Sequence, residues 1–152
     1  TDEGAEHMAG ALRANASLTS LALSVNRIGD RGMEHLANAL RENATLRDLQ
    51  LGGNVITDVG ARHLGDALKA NTSLRSLLLG ANKIGDGGAA HIANALQVNA
   101  HLTKLDLGYN GLGPGGVKHV ALMLGVNASV TELALEGNKI ADAESKALIR
   151  SA

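Results

Sequence analysis

The sequence has no cysteine, no phenylalanine, no tryptophan, one tyrosine and one proline in 152 residues. Without cysteine there can be no disulfide, no thiolate-held metal and no cysteine nucleophile. With so few rings, an ordinary globular core built around large aromatics is excluded, and leucine and alanine must supply the packing. Neither sign of charge dominates: 14 Lys and Arg stand against 15 Asp and Glu, for a net charge of −1. No electrostatic footprint for nucleic acid or an anionic membrane is therefore expected. Apolar runs stay well short of the ~18 residues of a membrane span, and no secretory leader is visible. A cytoplasmic location is expected, with a secreted effector left open. Motifs of catalysis are missing as well. There is no G-x-S-x-G elbow and no H-E-x-x-H. The sequence is read as a non-enzyme with no catalytic, cofactor-binding or metal-binding residues.

What is present is a repeat. Leu46, Leu49, Leu51, Asn54 and Ile56 spell L-x-x-L-x-L-x-x-N-x-I. The same spacing recurs at Leu18, Leu21, Leu23, Asn26, Ile28 and at Leu74, Leu77, Leu79, Asn82, Ile84. It returns at Leu102, Leu105, Leu107, Asn110, Leu112 and at Val130, Leu133, Leu135, Asn138, Ile140. Successive asparagines are 28 residues apart. A fixed period of this size signals a solenoid whose units bury their apolar faces against one another.

Each unit changes period halfway. The leucine pairs 21/23, 49/51, 77/79, 105/107 and 133/135 alternate as in a strand. Met33, Leu36, Ala37 and Leu40, with their equivalents, fall on one face of a helix. Strands are expected near 20–24, 48–52, 76–80, 104–108 and 132–136. Helices are expected near 3–14, 31–42, 59–70, 87–98, 115–126 and 143–150. Asp2, Asp30, Asp58, Asp86 and Asp142 stand where helices begin, as caps for the first-turn N–H groups. Pro114 takes that register in the fourth full unit, where a missing N–H costs nothing. Strands stack ~4.8 Å apart while packed helices need ~8–10 Å, so the sheet must line the inside of an arc. The asparagines after the strands are expected to tie neighbouring turns together through donor and acceptor at once.

The units are taken as a partial repeat 1–16, repeats 17–44, 45–72, 73–100 and 101–128, and an incomplete repeat 129–152, all in one domain. The last unit has Glu144 where the others have Gly32, Gly60, Gly88 and Gly116. Neither end shows a polar capping unit of the kind that shields a stack. A segment of a longer protein, or end-to-end self-association through the uncapped repeats, is the expectation.

Three lookalike signals reduce to repeat chemistry. Gly111 to Gly116 fits G-x-G-x-x-G between a strand and a helix. Yet the equivalent turns read Arg27 to Gly32 and Lys83 to Gly88, and a sheet of sequential neighbours has no switch point for a dinucleotide. N-x-[ST] sequons at Asn15, Asn43, Asn71 and Asn127 share one position with Asn99, which has none. A helix C-terminus tolerating the left-handed conformation explains all five. His7, His35, His63, His91 and His119 share one helical position. One per helix, ~8–10 Å from the next, is a poor metal site, and packing of the ring over small residues such as Gly65 or Ala93 is expected instead.

These motifs resemble the ribonuclease-inhibitor-like class of leucine-rich repeats. Residues 74–99 follow its pattern almost throughout, including Gly85, Asp86, Gly88, Ala89, Ile92, Ala93, Ala95 and Leu96. The resemblance implies an α/β leucine-rich-repeat solenoid, a right-handed βα superhelix with a parallel sheet on the concave face and helices on the convex face. It also implies a surface for binding proteins, shared by NOD-like receptors, Ran GTPase-activating proteins, tropomodulin-like actin regulators and bacterial effectors.

Residues flanking the strand leucines should point to the concave side. The first three strands offer small or neutral groups, and the last two offer Lys104, Asp106, Glu132 and Glu136. Leu78 is the one large apolar side chain of the set. Tyr109, the single aromatic residue, follows the fourth strand, and tyrosine is enriched at binding hot spots. A protein partner, with a basic patch to suit the acidic end, is therefore expected around Leu78, Lys104, Asp106, Tyr109, Glu132 and Glu136. A GTPase-activating module and an architectural segment of a larger receptor or bacterial effector are the alternatives. If the glycine-rich turn is repeat chemistry, millimolar NAD or ATP will leave the melting temperature unchanged. A rise with either nucleotide would contradict this reading.

Overall fold

The alternating leucines form five short strands and the 3.6-periodic halves form five helices. They are seen in a computed structural model that describes residues 1–140. The helix expected over 143–150, together with Asp142 and Glu144, lies outside the described residues. The order is α1 (Asp2–Ala14), β1 (Ser20–Ala22), α2 (Asp30–Glu42), β2 (Asp48–Gln50), α3 (Asp58–Leu68), β3 (Ser76–Leu78), α4 (Asp86–Leu96), β4 (Lys104–Asp106), α5 (Pro114–Leu124) and β5 (Glu132–Ala134). All strands are parallel and lie in one sheet in sequence order. Leu21 faces Leu49, Leu49 faces Leu77, and so on to Leu133, so the register advances by one period per strand.

Each strand is three residues long rather than the five expected. The ladder nevertheless continues past it, with Leu23 N–H donating to the Gln50 carbonyl at 2.8 Å and Val25 N–H to that of Gly52 at 2.9 Å. The strand then ends because the next residue turns left-handed. Val25, Gly53, Ala81, Tyr109 and Gly137 occupy one register, with φ between 51° and 71°. Their side chains range from none to a tyrosine ring, so the turn is imposed by the stack and not by a glycine alone.

The central leucine of each strand points toward the helices and is buried in β1 to β4, while its two flanking residues face the other side. Leu49, Leu77 and Leu105 share the core with Met33, Leu36, Leu64, Ile92 and Val120. Helices contact only their sequence neighbours, as do strands. Because helices need the wider spacing, the sheet takes the inner side of the curve. Terminal strands have one neighbour each, and Leu133 and Leu135 are correspondingly only half-buried.

Polar side chains join the units. Asn54 is 5% exposed. Its Oδ1 accepts from the N–H groups of Asn26 (3.1 Å) and Ile28 (2.9 Å) in the preceding unit. Its Nδ2 donates to the carbonyls of Leu23 (3.0 Å) and its own Leu51 (2.8 Å). Asn82, Asn110 and Asn138 repeat this bridge. This row does what its donor and acceptor chemistry required of it.

The second asparagine row works differently from the expectation. Asn15 and Asn43 end their helices with φ of −90° and −80°, which is extended backbone and not the left-handed region. Asn43 Oδ1 accepts from Thr45 and Leu46 N–H at 3.0 and 2.8 Å, turning its own chain toward the strand. Its Nδ2 donates back to the carbonyls of Leu12 and Asn15. Asn71, Asn99 and Asn127 do the same one unit later each time. Sequons at Asn43 and Asn71 are thus buried with their amide nitrogens already committed.

The aspartates also differ from the expectation. Each is the first residue of its helix, and the residues before the helices are Thr1, Gly29, Thr57, Gly85 and Gly113. The carboxylate turns to the following unit and caps that helix instead. Gly29, Gly85 and Gly113 N–H donate to Asp2, Asp58 and Asp86 Oδ1, all at 2.6 Å. Asp30 takes Thr57 N–H (2.8 Å), Gly60 N–H (2.9 Å) and the Thr57 hydroxyl (2.6 Å). This crossing explains the glycine three residues after each cap. A Cβ on Gly88 would lie 2.7 Å from both Asp58 Oδ1 and Ile84 Cγ2. A Cβ on Gly4, in α1, would meet only Thr1 Oγ1 at 3.6 Å.

Two pairs of substitutions follow, measured by urea unfolding. Asn54→Ala strands buried groups in two units and should cost about 2–3 kcal/mol, against under ~1 kcal/mol for exposed Asn26→Ala. Gly88→Ala should cost about 1–3 kcal/mol through overpacking, whereas Gly4→Ala should be neutral or stabilising by up to ~1 kcal/mol. Equal losses within either pair would contradict the cross-unit assignment.

Candidate partner-binding site

The strand residues that do not enter the core form the inner face in three rows. One row runs Ser20, Asp48, Ser76, Lys104, Glu132, and the next runs Ala22, Gln50, Leu78, Asp106, Ala134. The third, one 28-residue step at a time, is Ser24, Gly52, Gly80, Gly108, Glu136. The left-handed turn residues, Tyr109 among them, follow directly and form the rim.

Four of the expected site residues come together. Leu78, Lys104, Asp106 and Glu132 line an open depression of about 600 Å³ whose floor includes Leu105, Leu133 and Ala134. Glu136 and Tyr109 do not line it. They adjoin it at the turn end of β4 and β5. The Glu136 carboxylate lies over Gly108, whose Cβ would fall 3.1 Å from Glu136 Cδ. Tyr109 is 64% exposed, and its ring lies so close over Gly137 that a Cβ there would overlap Tyr109 Cδ1. Its φ is 51°, a conformation that costs a non-glycine residue about 1–2 kcal/mol.

The electrostatics are less uniform than the residue types suggest. Lys104 Nζ sits 2.7 Å from Glu132 Oε2. That hydrogen bond and the charge of Glu132 hold the Lys104 ammonium above its ordinary value. A raised value in the folded state means the pair is intact at neutral pH and is lost only as pH climbs past 10.5. Both partners are well exposed, so the pair adds little stability. It does neutralise one end of the depression, and the acidic character narrows to Asp106 and Glu136.

Two contributors were hidden in the sequence. Gly80 and Gly108 look like small, neutral members of the inner face. In the fold they are the floor on which carboxylates lie, for a Cβ on Gly80 would fall 2.9 Å from Asp106 Oδ2. A second depression, of about 510 Å³, opens at the other edge between the helix-to-strand turns of consecutive units. Val98 and Val126 border it, 70% and 68% exposed, at a position where earlier units carry Ala14, Glu42 and Ala70.

The glycine-rich turn has no room for a phosphate. The N-terminus of α5 is already occupied by Asp86, which accepts from Gly113 N–H and would lie 2.8 Å from a Cβ on either Gly115 or Gly116. The five in-register histidines are distributed one per helix. His35 Nε2 is 3.9 Å from Glu6 Oε2 on the neighbouring helix. At Gly65 the nearest approach is from the backbone carbonyl oxygen of His91, which would lie 2.8 Å from a Cβ at that position. Among the described residues no three His, Asp or Glu side chains converge as metal ligands, and no helix is long and apolar enough to cross a membrane.

Comparison with known proteins bears on the fold. A leucine-rich repeat family model matches residues 14–37, 42–65, 70–93, 98–121 and 126–143. No curated protein sequence matches. Among solved structures, leiomodin-1 actin-binding site 2 superposes with a TM-score of 0.82 at 20% identity, covering 95% of this chain and 84% of that one. The tropomodulin C-terminal domain of Caenorhabditis elegans gives 0.81 at 17% identity, covering 97% of this chain and 89% of that one. Five family repeats spaced through most of its length make this chain a member of the leucine-rich repeat family.

Proposed function

We propose that the chain is a non-catalytic protein-interaction scaffold that receives a partner on the concave sheet face. The contact surface is centred on Leu78, Lys104, Asp106, Tyr109, Glu132 and Glu136. The observation that carries this reading is the gathering of four of these residues in one depression on the inner face, with the other two beside it. The exposed ring of Tyr109 supports it, since tyrosine is enriched at binding hot spots. Units of 28 residues, each with a helix of 11 to 13 residues, favour the ribonuclease-inhibitor-like subtype and a single domain of the repeats 17–44, 45–72, 73–100 and 101–128 with partial units at either side. One structural neighbour is an actin-binding site, so actin heads the panel of partners to test.

A second reading, an architectural segment within a larger receptor or effector, is favoured by the sparse inner face of β1 to β3. A GTPase-activating role, as in the Ran-activating relatives, is the third; it requires turnover, not capture alone.

Immobilised protein, tested against actin and candidate GTPases, separates these. Tyr109→Ala and Glu136→Lys should each weaken capture by roughly 5- to 30-fold, or about 1–2 kcal/mol. Alanine at position 109 suits the turn, because Ala81 holds the same conformation one unit earlier. The convex-face control His91→Ala should bind like the parent protein. If both inner-face variants capture normally, the site assignment is wrong. If bound GTPases turn over faster, the scaffold reading gives way to the activating one.

A further inference from the structure

Resting on the concave-face reading above, we infer that Asp106, Glu136 and Tyr109 form a clasp for an arginine side chain of an extended polypeptide partner. Three properties of this end of the sheet lead there.

The first is unbalanced charge. Lys104 is spent on Glu132. The ion pairs among the described residues include neither Asp106 nor Glu136. Both carboxylates nevertheless lean over the same glycine. A Cβ on Gly108 would lie 3.1 Å from Asp106 Oδ1 and 3.2 Å from Glu136 Oε1. Asp106 Oδ1 accepts from Gly108 N–H at 2.8 Å, and Asp106 Oδ2 lies over Gly80. Two like charges brought together repel; Lys104 reaches Asp106 only through its field and not as an ion pair, and a cation supplied from outside removes the repulsion that remains.

The second is the flat ring beside them. Tyr109 follows Gly108 in the chain, and its ring covers Gly137, the residue after Glu136. An exposed ring one residue on from Gly108, the glycine under both carboxylates, suits a planar, charged group that can stack and donate hydrogen bonds together. Guanidinium meets both demands; an ammonium meets the charge but not the plane.

The third is the apolar floor. Leu78 and Ala134 line the adjoining depression, flanking Asp106 on the neighbouring strands one row on from Lys104 and Glu132. They can cover the methylene stem of arginine or an apolar neighbour in the partner segment. A bound divalent cation fits less well. Two carboxylates, one of them already accepting from a backbone N–H, fall short of the ~6–8 oxygen ligands calcium takes. The surplus negative charge also disfavours a phosphate-bearing partner.

The test uses the peptide acetyl-Ala-Leu-Arg-Leu-Ala-amide and its counterparts with citrulline or lysine in place of arginine. Each is titrated into the isotopically labelled full chain and followed by amide chemical shifts. The arginine peptide should move the Gly108, Tyr109 and Gly137 amides. The uncharged citrulline peptide should bind at least about tenfold more weakly, and the lysine peptide should fall between them. Asp106→Asn with Glu136→Gln should erase the preference for arginine over citrulline. Should that double variant unfold, Glu136→Gln alone serves, because the Glu136 side chain is exposed, joins no ion pair among the described residues and keeps its size in glutamine. Tyr109→Leu should narrow the gap between arginine and lysine while leaving the charge requirement in place.

Equal shifts with arginine and citrulline, or shifts spread over other acidic sites such as Asp66, would overturn the clasp. Protein capture that still depends on Tyr109 in that event would leave the concave-face reading standing. Capture indifferent to every inner-face variant would overturn both.

Discussion

The described units leave backbone groups that only a neighbouring unit can satisfy. The N–H groups of Asn26 and Ile28 have no acceptor within their own turn and are met by Asn54. The N–H that opens each helix from α2 to α5 donates to a carboxylate reaching across from the helix before it. A buried donor without an acceptor costs about 1–3 kcal/mol. One unit alone would carry several such losses and bury its leucines on only one side. The array therefore folds as neighbours or not at all, which is the energetic logic of a solenoid.

That constraint decides which positions are free to serve function. The asparagine rows, the aspartates and the glycines that receive them are fixed by polar satisfaction and close approach. The leucines are fixed by burial. What remains are the residues flanking each strand's central leucine, and the left-handed turn position that follows. At β4 and β5 these free positions carry charge and the one aromatic ring, while at β1 to β3 they are small or neutral apart from Asp48. The proposed contact surface thus lies where the scaffold leaves side chains free.

The sequence was legible wherever a repeat position had one physical job. Leu49 and Leu77 announced a strand, Leu36 and Leu40 a helix face, and Asn54 a turn with groups to satisfy. It was less legible where a side chain acts outside its own unit. Asp58 looks like a cap for the helix it begins, and it caps the next one, because only the third dimension shows which N–H it faces. Asn43 sits at a helix end and suggested a left-handed residue. The left-handed residue is instead Val25, Gly53, Ala81, Tyr109 or Gly137, and no shared residue type marks that register. At the candidate site, Asp106 and Glu136 were visible as acids, but their approach across Gly108 was not. Nor was the loss of Lys104 to Glu132, since pairing across strands depends on register and rotamer together.

The reciprocity of the asparagine bridges can be measured directly by native-state hydrogen exchange in Asn82→Ala. Asn82 Oδ1 accepts from Ile56 N–H, which lies in the unit before it. The Ile56 amide should therefore lose protection relative to the Leu64 amide within α3. If the Ile56 amide keeps its protection while amides of the mutated unit alone exchange faster, the units are held by packing within themselves, and the polar interlock is not what joins them.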